Sequence, residues 1–259
     1  MNISFLGICI VMLLLCIPAY IIFTYKLNLF NKFAMSVVKM LAYMVLTGLF
    51  LYYISKWNNI FINLLWMILM AAIASVITVG KTKLSMGKMF IPTFAGAFSV
   101  VVLMGLAILF AVFSFKNMFD ARYMIPITGF LAGSMIECNF KSLETYYSGL
   151  KNHNAIYYYL LGNGATHNQA VSYFVKRALE RSMIPMLSKM AYILLGVTPL
   201  VLWSMMLAGT TVIDAVFFQI LILAAMLAAA PISLLITLAL ARGYFFDAYG
   251  QLKNIEKEA

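Results

Sequence analysis

Acidic side chains are scarce in this chain. Only 8 aspartates and glutamates stand among 259 residues, against 18 lysines and arginines, and charged residues make up 10% of the whole. Soluble domains carry about 25% charged residues, so a water-covered globular surface is excluded. Cysteine and histidine are also rare, at 3 and 2 residues. Cys9, Cys16 and Cys138 lie in apolar surroundings with no C-x-x-C spacing, which excludes a zinc framework and leaves buried structural thiols as the expectation. No paired Asp/Glu and no histidine cluster falls in an apolar run, so a membrane-embedded enzyme lacks its groups. A phosphate-binding loop is missing too. Gly80-Lys81-Thr82 resembles its end, but Ser75 stands where the pattern needs its first glycine, so the chain should bind no ATP or other cofactor itself.

What is present is hydrophobic: 64% of the chain, with a mean hydropathy of +0.98. Apolar stretches of about 20 residues cross a bilayer as helices. The expected architecture is an all-α, polytopic membrane protein with about seven transmembrane helices in a single permease-like domain over 1–259. The spans are Ile3–Tyr25, Phe33–Ile54, Ile60–Val79, Phe94–Phe115, Arg122–Cys138, Leu187–Leu207 and Val212–Ala241. The fifth is the shortest and most polar, and Pro231 can kink the last. No basic residue precedes the first apolar run, so it reads as a retained span and not as a cleavable signal.

Basic residues orient the chain. With the N-terminus outside, Lys26, Lys32, Lys81, Lys83, Lys88, Lys141, Lys151, Lys176, Arg177, Arg181, Lys189, Arg242, Lys253 and Lys257 fall inside. Lys56, Lys116 and Arg122 fall outside, while Lys39 lies within the second span and snorkels. The C-terminus is then cytoplasmic. This bias accounts for the net charge of +10 without a nucleic-acid partner, for which no basic folded face exists.

The longest break in hydrophobicity runs from about Cys138 to Met183. Apolar positions three or four apart between Phe140 and Leu161 suit an amphipathic helix. Gly162-Asn163-Gly164 supplies a stop, and Thr166 with Gln169 has the spacing of a capping box opening a second helix to about Met183. Ala170, Phe174, Ala178 and Arg181 share one stripe, and Pro185 begins the sixth span. Two uses fit this segment, about 139–186: a hairpin at the lipid headgroups with its cations on anionic lipid, or a docking element for a soluble subunit. In the second, Tyr157, Leu161, Gly162, Gly164, Ala165 and Thr166 form the contact.

Ionisable residues inside spans are costly and informative. Glu137 stands beside Ser134, Met135 and Cys138 at the inner end of the fifth span. Either it lines a transport pathway with those neighbours, where carboxylate and sulfur could hold a metal cation, or it reaches the headgroups. Asp214 suits a helix N-terminus, and His167 a first helical turn. The methionines are scattered and serve as core filling.

Three segments carry a family resemblance. The first is Ala121, Arg122, Tyr123, then Ile125, Pro126, Gly129 and Gly133; the second runs from Leu161 through Gly164-Ala165-Thr166 and Arg177-Ala178 to Ile184-Pro185; the third holds Leu207-Ala208-Gly209, Ala215 and Gln219-Ile220. In order and spacing this resembles the permeases of the Fet-type bacterial iron-export ABC transporters, a family that includes the membrane partner of a plant half-transporter linked to aluminium tolerance. Pro199 matches a further family position. Gly133 is followed by Ser134 and Met135 where the family usually has Gly-Asn with a following Met, and Thr198-Pro199-Leu200-Val201-Leu202 lacks the family's glycine and methionines. The resemblance implies a homodimeric permease in a bacterial inner membrane, exporting a metal ion, iron by resemblance. It implies no catalytic residues here, with ATP bound by a separate cytosolic ATPase subunit. An ion-coupled carrier using Glu137 and a non-transporting scaffold are the competing readings.

Overall fold

The computed structural model describes residues 13–112, 119–193, 199–247, 250–253 and 255. Its described secondary structure is helical, apart from isolated bridge residues at Leu84 and at the Phe246–Leu252 pair. The chain divides into two compact units, Met1–Trp57 and Asn58–Ala259.

The first unit contains α1 (Cys16–Thr24) and α2 (Phe30–Trp57), joined by a turn in which Lys26 takes a positive φ of 50°. Both helices are apolar around their circumference: Tyr20 and Phe23 on α1, and Val38, Tyr43, Met44 and Leu49 on α2, are all exposed. A helix without a polar face is at rest in hydrocarbon, not in water. The part of the expected first span before Leu13 lies outside the described residues.

The second unit contains α3 (Ile60–Lys81), α4 (Met86–Val112), α5 (Ala121–Asn152), α6 (Asn154–Gly162), α7 (His167–Ala191), α8 (Leu200–Leu207) and α9 (Val212–Phe245). Side-chain caps start four of these helices. Asn59 Oδ1 accepts from Phe61 N–H, Asp120 Oδ1 from Arg122 N–H, and Thr211 Oγ1 from Asp214 N–H. Thr166 and Gln169 form the expected capping box. Asn58 Oδ1 also accepts from Ala121 N–H, and Asn63 Nδ2 donates to the Phe119 carbonyl. These bonds pin the start of α3 to the start of α5. Between α4 and α9 the backbones meet at Gly96, where a Cβ would lie 2.6 Å from the Ser233 carbonyl oxygen. Such close approach of small residues is how helices associate where lipid removes the hydrophobic drive.

Four described helices are long and apolar enough to cross a membrane: α2, α3, Met86–Phe110 of α4, and α9. The other expected spans have different boundaries. The fifth does not end at Cys138, because α5 runs unbroken to Asn152. Backbone hydrogen bonding ignores a fall in hydropathy, and inward residues Ser142, Leu143, Tyr146 and Leu150 keep one face buried until His153 breaks the ladder. The expected Phe140–Leu161 helix is accordingly two pieces. The second loop helix passes Met183 and contains Pro185 in its interior, ending at Ala191. The expected Leu187–Leu207 span therefore begins as the tail of α7 and finishes as α8, with Pro199 at the N-cap. Neither new start is capped by a side chain: His153 before α6 and Pro199 before α8 make no capping hydrogen bond.

Candidate functional site: a helical platform and a cavity

The ends of α3, α5 and α9 meet α6 and α7 in a separate packed core. Val79, Leu84, Met89, Leu143, Tyr146, Tyr147, Leu150, Tyr157, Ala170, Phe174, Ala178, Leu238 and Phe245 are buried together there. The predicted Ala170-Phe174-Ala178 stripe is the face that α7 buries, and its next member is Ser182, not Arg181, which is exposed. Gly149 lets α5 approach α7: a Cβ there would stand 3.2 Å from Phe174 Cδ1. Buried Tyr146 meets Phe245 edge to face at 5.2 Å, a geometry the ring quadrupoles favour.

The tail closes the platform from below α9. Ile255 is fully buried, its carbonyl accepts from Ser85 N–H at 2.7 Å, and its N–H donates to Tyr147 Oη at 3.4 Å. Tyr157 donates its single hydroxyl hydrogen to the Gly250 carbonyl at 3.1 Å. The 2.9 Å bond between Tyr157 Oη and His167 Nδ1 must then be donated by the imidazole. The His167 ring stands on Phe246 at 4.7 Å, and Arg242 reaches Asn168 Oδ1 at 2.6 Å. Burial, then the Arg242 charge, lowers the His167 pKa below its usual 6.5. Burial likewise raises the Tyr157 and Tyr146 hydroxyl pKa values.

On the outside of this platform is the turn between α6 and α7. Gly162, Asn163, Gly164 and Thr166 are exposed, with Leu161 and Ala165 half-buried. Gly164 has a φ of +84°, which only glycine adopts freely. Tyr157 faces inward at 2% exposure, while Tyr158 and Tyr159 are 45% and 71% exposed. The sequence reading missed these two. Their signal is the step of 100° per residue that puts neighbours of a buried tyrosine on the surface. Lys176, Arg177 and Arg181 are exposed along α7, with the Arg177 guanidinium 5.0 Å from the Tyr173 ring centre.

The residues proposed for a transport pathway spread around α5. Ser134 and Met135 are buried, and the Ser134 hydroxyl donates to the Leu131 carbonyl at 2.8 Å. Cys138 is buried against Met186 of α7 and Ala230 of α9. Glu137 points elsewhere: it forms an ion pair with Lys189 of α7, and both side chains are partly exposed, at 43% and 35%. Among the described residues no cluster of three or more His, Cys, Asp or Glu could hold a metal ion.

A cavity of about 720 Å³ lies at the opposite end of the unit, among the starts of α5 and α9 and the helix α8. Arg122, Tyr123, Pro126 and Phe130 line one side, Ser204 and Met205 another, and Asp214, Phe217 and Phe218 the third. Motif residues thus surround a space, while Ala121 and Ile125 are buried behind them. Gly129 and Gly133 have no atom within 4 Å of where a Cβ would be. Gln219 is buried and its Oε1 accepts from Leu202 N–H at 3.2 Å, satisfying one open donor of the first turn of α8.

Helices of this length and apolarity, tied to a polar platform with its own core, define a multi-pass, all-helical membrane protein. The chain belongs to the group described as Uncharacterised protein family (UPF0014), which matches residues 5–246. It is 24% identical over 253 residues to the UPF0014 membrane protein YjkA of Bacillus subtilis (strain 168), covering 98% of this chain and 100% of that one. It is 30% identical over 136 residues to Protein ALUMINUM SENSITIVE 3 of Arabidopsis thaliana, covering 52% of this chain and 50% of the plant protein. A third relative, UPF0014 membrane protein slr1647 of Synechocystis sp. (strain ATCC 27184 / PCC 6803 / Kazusa), is 24% identical over 230 residues, 87% of each chain. No solved structure matches the chain significantly.

Proposed function

We propose that this chain is the membrane permease subunit of an ABC-type exporter, worked by a separate cytosolic ATPase that docks on the α6–α7 turn. The observation that carries this reading is the continuity of α5. One helix supplies Arg122 and Tyr123 to the cavity, Cys138 to the bundle interior, and Tyr146 and Leu150 to the platform core. A force on the platform reaches the cavity wall along a single helix, whose one interior proline, Pro126, stands at the cavity itself. Exposed Tyr158, Tyr159 and the Gly164 turn offer the partner a rigid aromatic surface, the composition that dominates binding energy at interfaces. The chain supplies pathway and coupling surface and performs no covalent chemistry.

In this reading the platform is cytoplasmic, the N-terminus is outside, and two copies pair in the inner membrane around the path. The cargo is a metal ion, with iron suggested by the family resemblance. ATP-driven closure of the ATPase pair would rock the α5 and α9 ends between inward- and outward-open states. Gly164→Val tests the docking. The glycine has open space around it, so valine would add only backbone strain at its positive φ. The variant should insert normally but lose co-purification with the proposed ATPase subunit, together with stimulated ATP turnover. Normal binding and turnover by both Gly164→Val and Tyr159→Ala would remove this turn from the interface.

A further inference from the structure

The junction of α5, α7 and α9 holds polar and sulfur side chains that neither the platform nor the cavity uses. Cys138, Met186 and Ala230 form one fully buried cluster. Beside Cys138, Asn139 is 6% exposed and donates Nδ2 to Ser233 Oγ of α9 at 3.1 Å. The Asn139 side-chain carbonyl oxygen accepts no hydrogen bond. Ser182 lies one helical turn before Met186 on the same face of α7, is fully buried, and has a hydroxyl without a partner. Neighbouring hydroxyls differ, since Ser134 and Ser142 donate to Leu131 and Cys138 carbonyls. Leaving two polar atoms unmatched in a packed interior is costly. Asn139 follows Cys138 along α5 and Ser182 stands one turn from Met186 along α7, so both unmatched atoms lie on residues flanking the buried sulfur pair.

We propose that this junction binds a soft monovalent cation of the cuprous class. Cys138 Sγ and Met186 Sδ would be its principal ligands, with the Asn139 carbonyl oxygen and the Ser182 hydroxyl completing the shell. Thiolate and thioether select Cu(I) over harder ions. Charge favours the same choice. Binding breaks the Cys138 S–H bond, forms a metal–thiolate bond and releases the proton to bulk water, so a monovalent ion leaves the site neutral. A dication would leave a positive charge in the bundle, and the adjacent Glu137 is already neutralised by Lys189. The site is distinct from the path of the iron cargo suggested above, and as a binding site it does not rest on the permease reading.

The test uses the full chain, purified in detergent without ATPase, with Cys9 and Cys16 changed to serine. The probe is Ag(I), a redox-inert stand-in, dialysed against a competing thiol ligand. A single Ag(I) per chain should be retained, and Cys138→Ser should abolish it. Met186→Leu should weaken binding by at least the roughly tenfold that losing even an outer-shell partner costs a metal site. Both variants should melt as the parent does without metal, which separates lost ligation from misfolding. No uptake by the parent, or uptake indifferent to Met186→Leu, would overturn the proposal and leave ordered water as the occupant. ATPase co-purification is scored independently, so either reading can fail alone.

Discussion

Replacing Gly96 with alanine should loosen the crossing of α4 and α9, and the structure sets the size of the effect. The new methyl would meet the Ser233 backbone carbonyl at 2.6 Å and crowd the Thr237 hydroxyl. Thr237 could rotate, but a helical carbonyl cannot, so the two helices must part by several tenths of an ångström. Overpacking of this kind costs about 1–3 kcal/mol, and backbone on one side of the clash puts Gly96 in the upper half. Alanine returns about 1 kcal/mol by its better helix propensity, leaving a net loss of about 1–2 kcal/mol. Gly105 is the internal control. There the nearest atom to an added Cβ is Met67 Cε at 3.8 Å, an ordinary contact, so Gly105→Ala should be stabilising by up to about 1 kcal/mol. The two variants should differ by about 1–3 kcal/mol, or about 2–12 °C in melting temperature for a chain of this size. Thermal unfolding in one detergent, followed by tryptophan fluorescence, measures it. Equal melting temperatures, or a higher one for Gly96→Ala, would refute the close crossing.

Other outcomes are equally specific. A cysteine at Asn163 should react with membrane-impermeant maleimide only in inverted vesicles, and one at Thr210 only in intact cells; the opposite pattern would reverse the proposed topology. Because the His167 pKa is lowered in the folded chain, the neutral ring is the one folding favours. Its contribution should be complete above the unfolded value of 6.5 and decline as pH falls below it. Melting temperature should therefore drop between pH 7.5 and pH 5, with a flatter profile in His167→Gln. Glu137→Lys should weaken the chain by roughly 1 kcal/mol or less, as expected for a partly exposed pair, and Lys189→Glu in the same molecule should restore it. Failure of that restoration would show that the pair does not tie α5 to α7.

Elements with a local cause were legible from the chain. The Thr166 capping box, the Gly164 stop and the buried Ala170-Phe174-Ala178 stripe follow from rules that act within a turn or two. Helix ends inferred from hydropathy were not legible, since hydropathy reports the surroundings of a helix and not its hydrogen-bond ladder. Thus α5 crosses the Cys138 boundary and α7 absorbs Pro185. The candidate sites depended on what lies far away in sequence. That Glu137 meets Lys189, that Asn139 meets Ser233, and that Tyr157 holds the tail at Gly250 are matters of packing between elements. Nothing in the residues alone pairs them.

Should α5 tilt as one body in the proposed transport cycle, its length would set the gearing. Taking Cys138 as a pivot, about 26 Å of rod extends toward Ala121 and about 21 Å toward Asn152 at 1.5 Å rise per residue. A 10° tilt then carries the two tips through about 4.5 Å and about 3.6 Å in opposite directions, so input and output strokes are nearly equal. Such a lever transmits displacement one for one and amplifies nothing. In the proposed exporter, an opening of a few ångströms beside Arg122 would then require a comparable travel at the far tip.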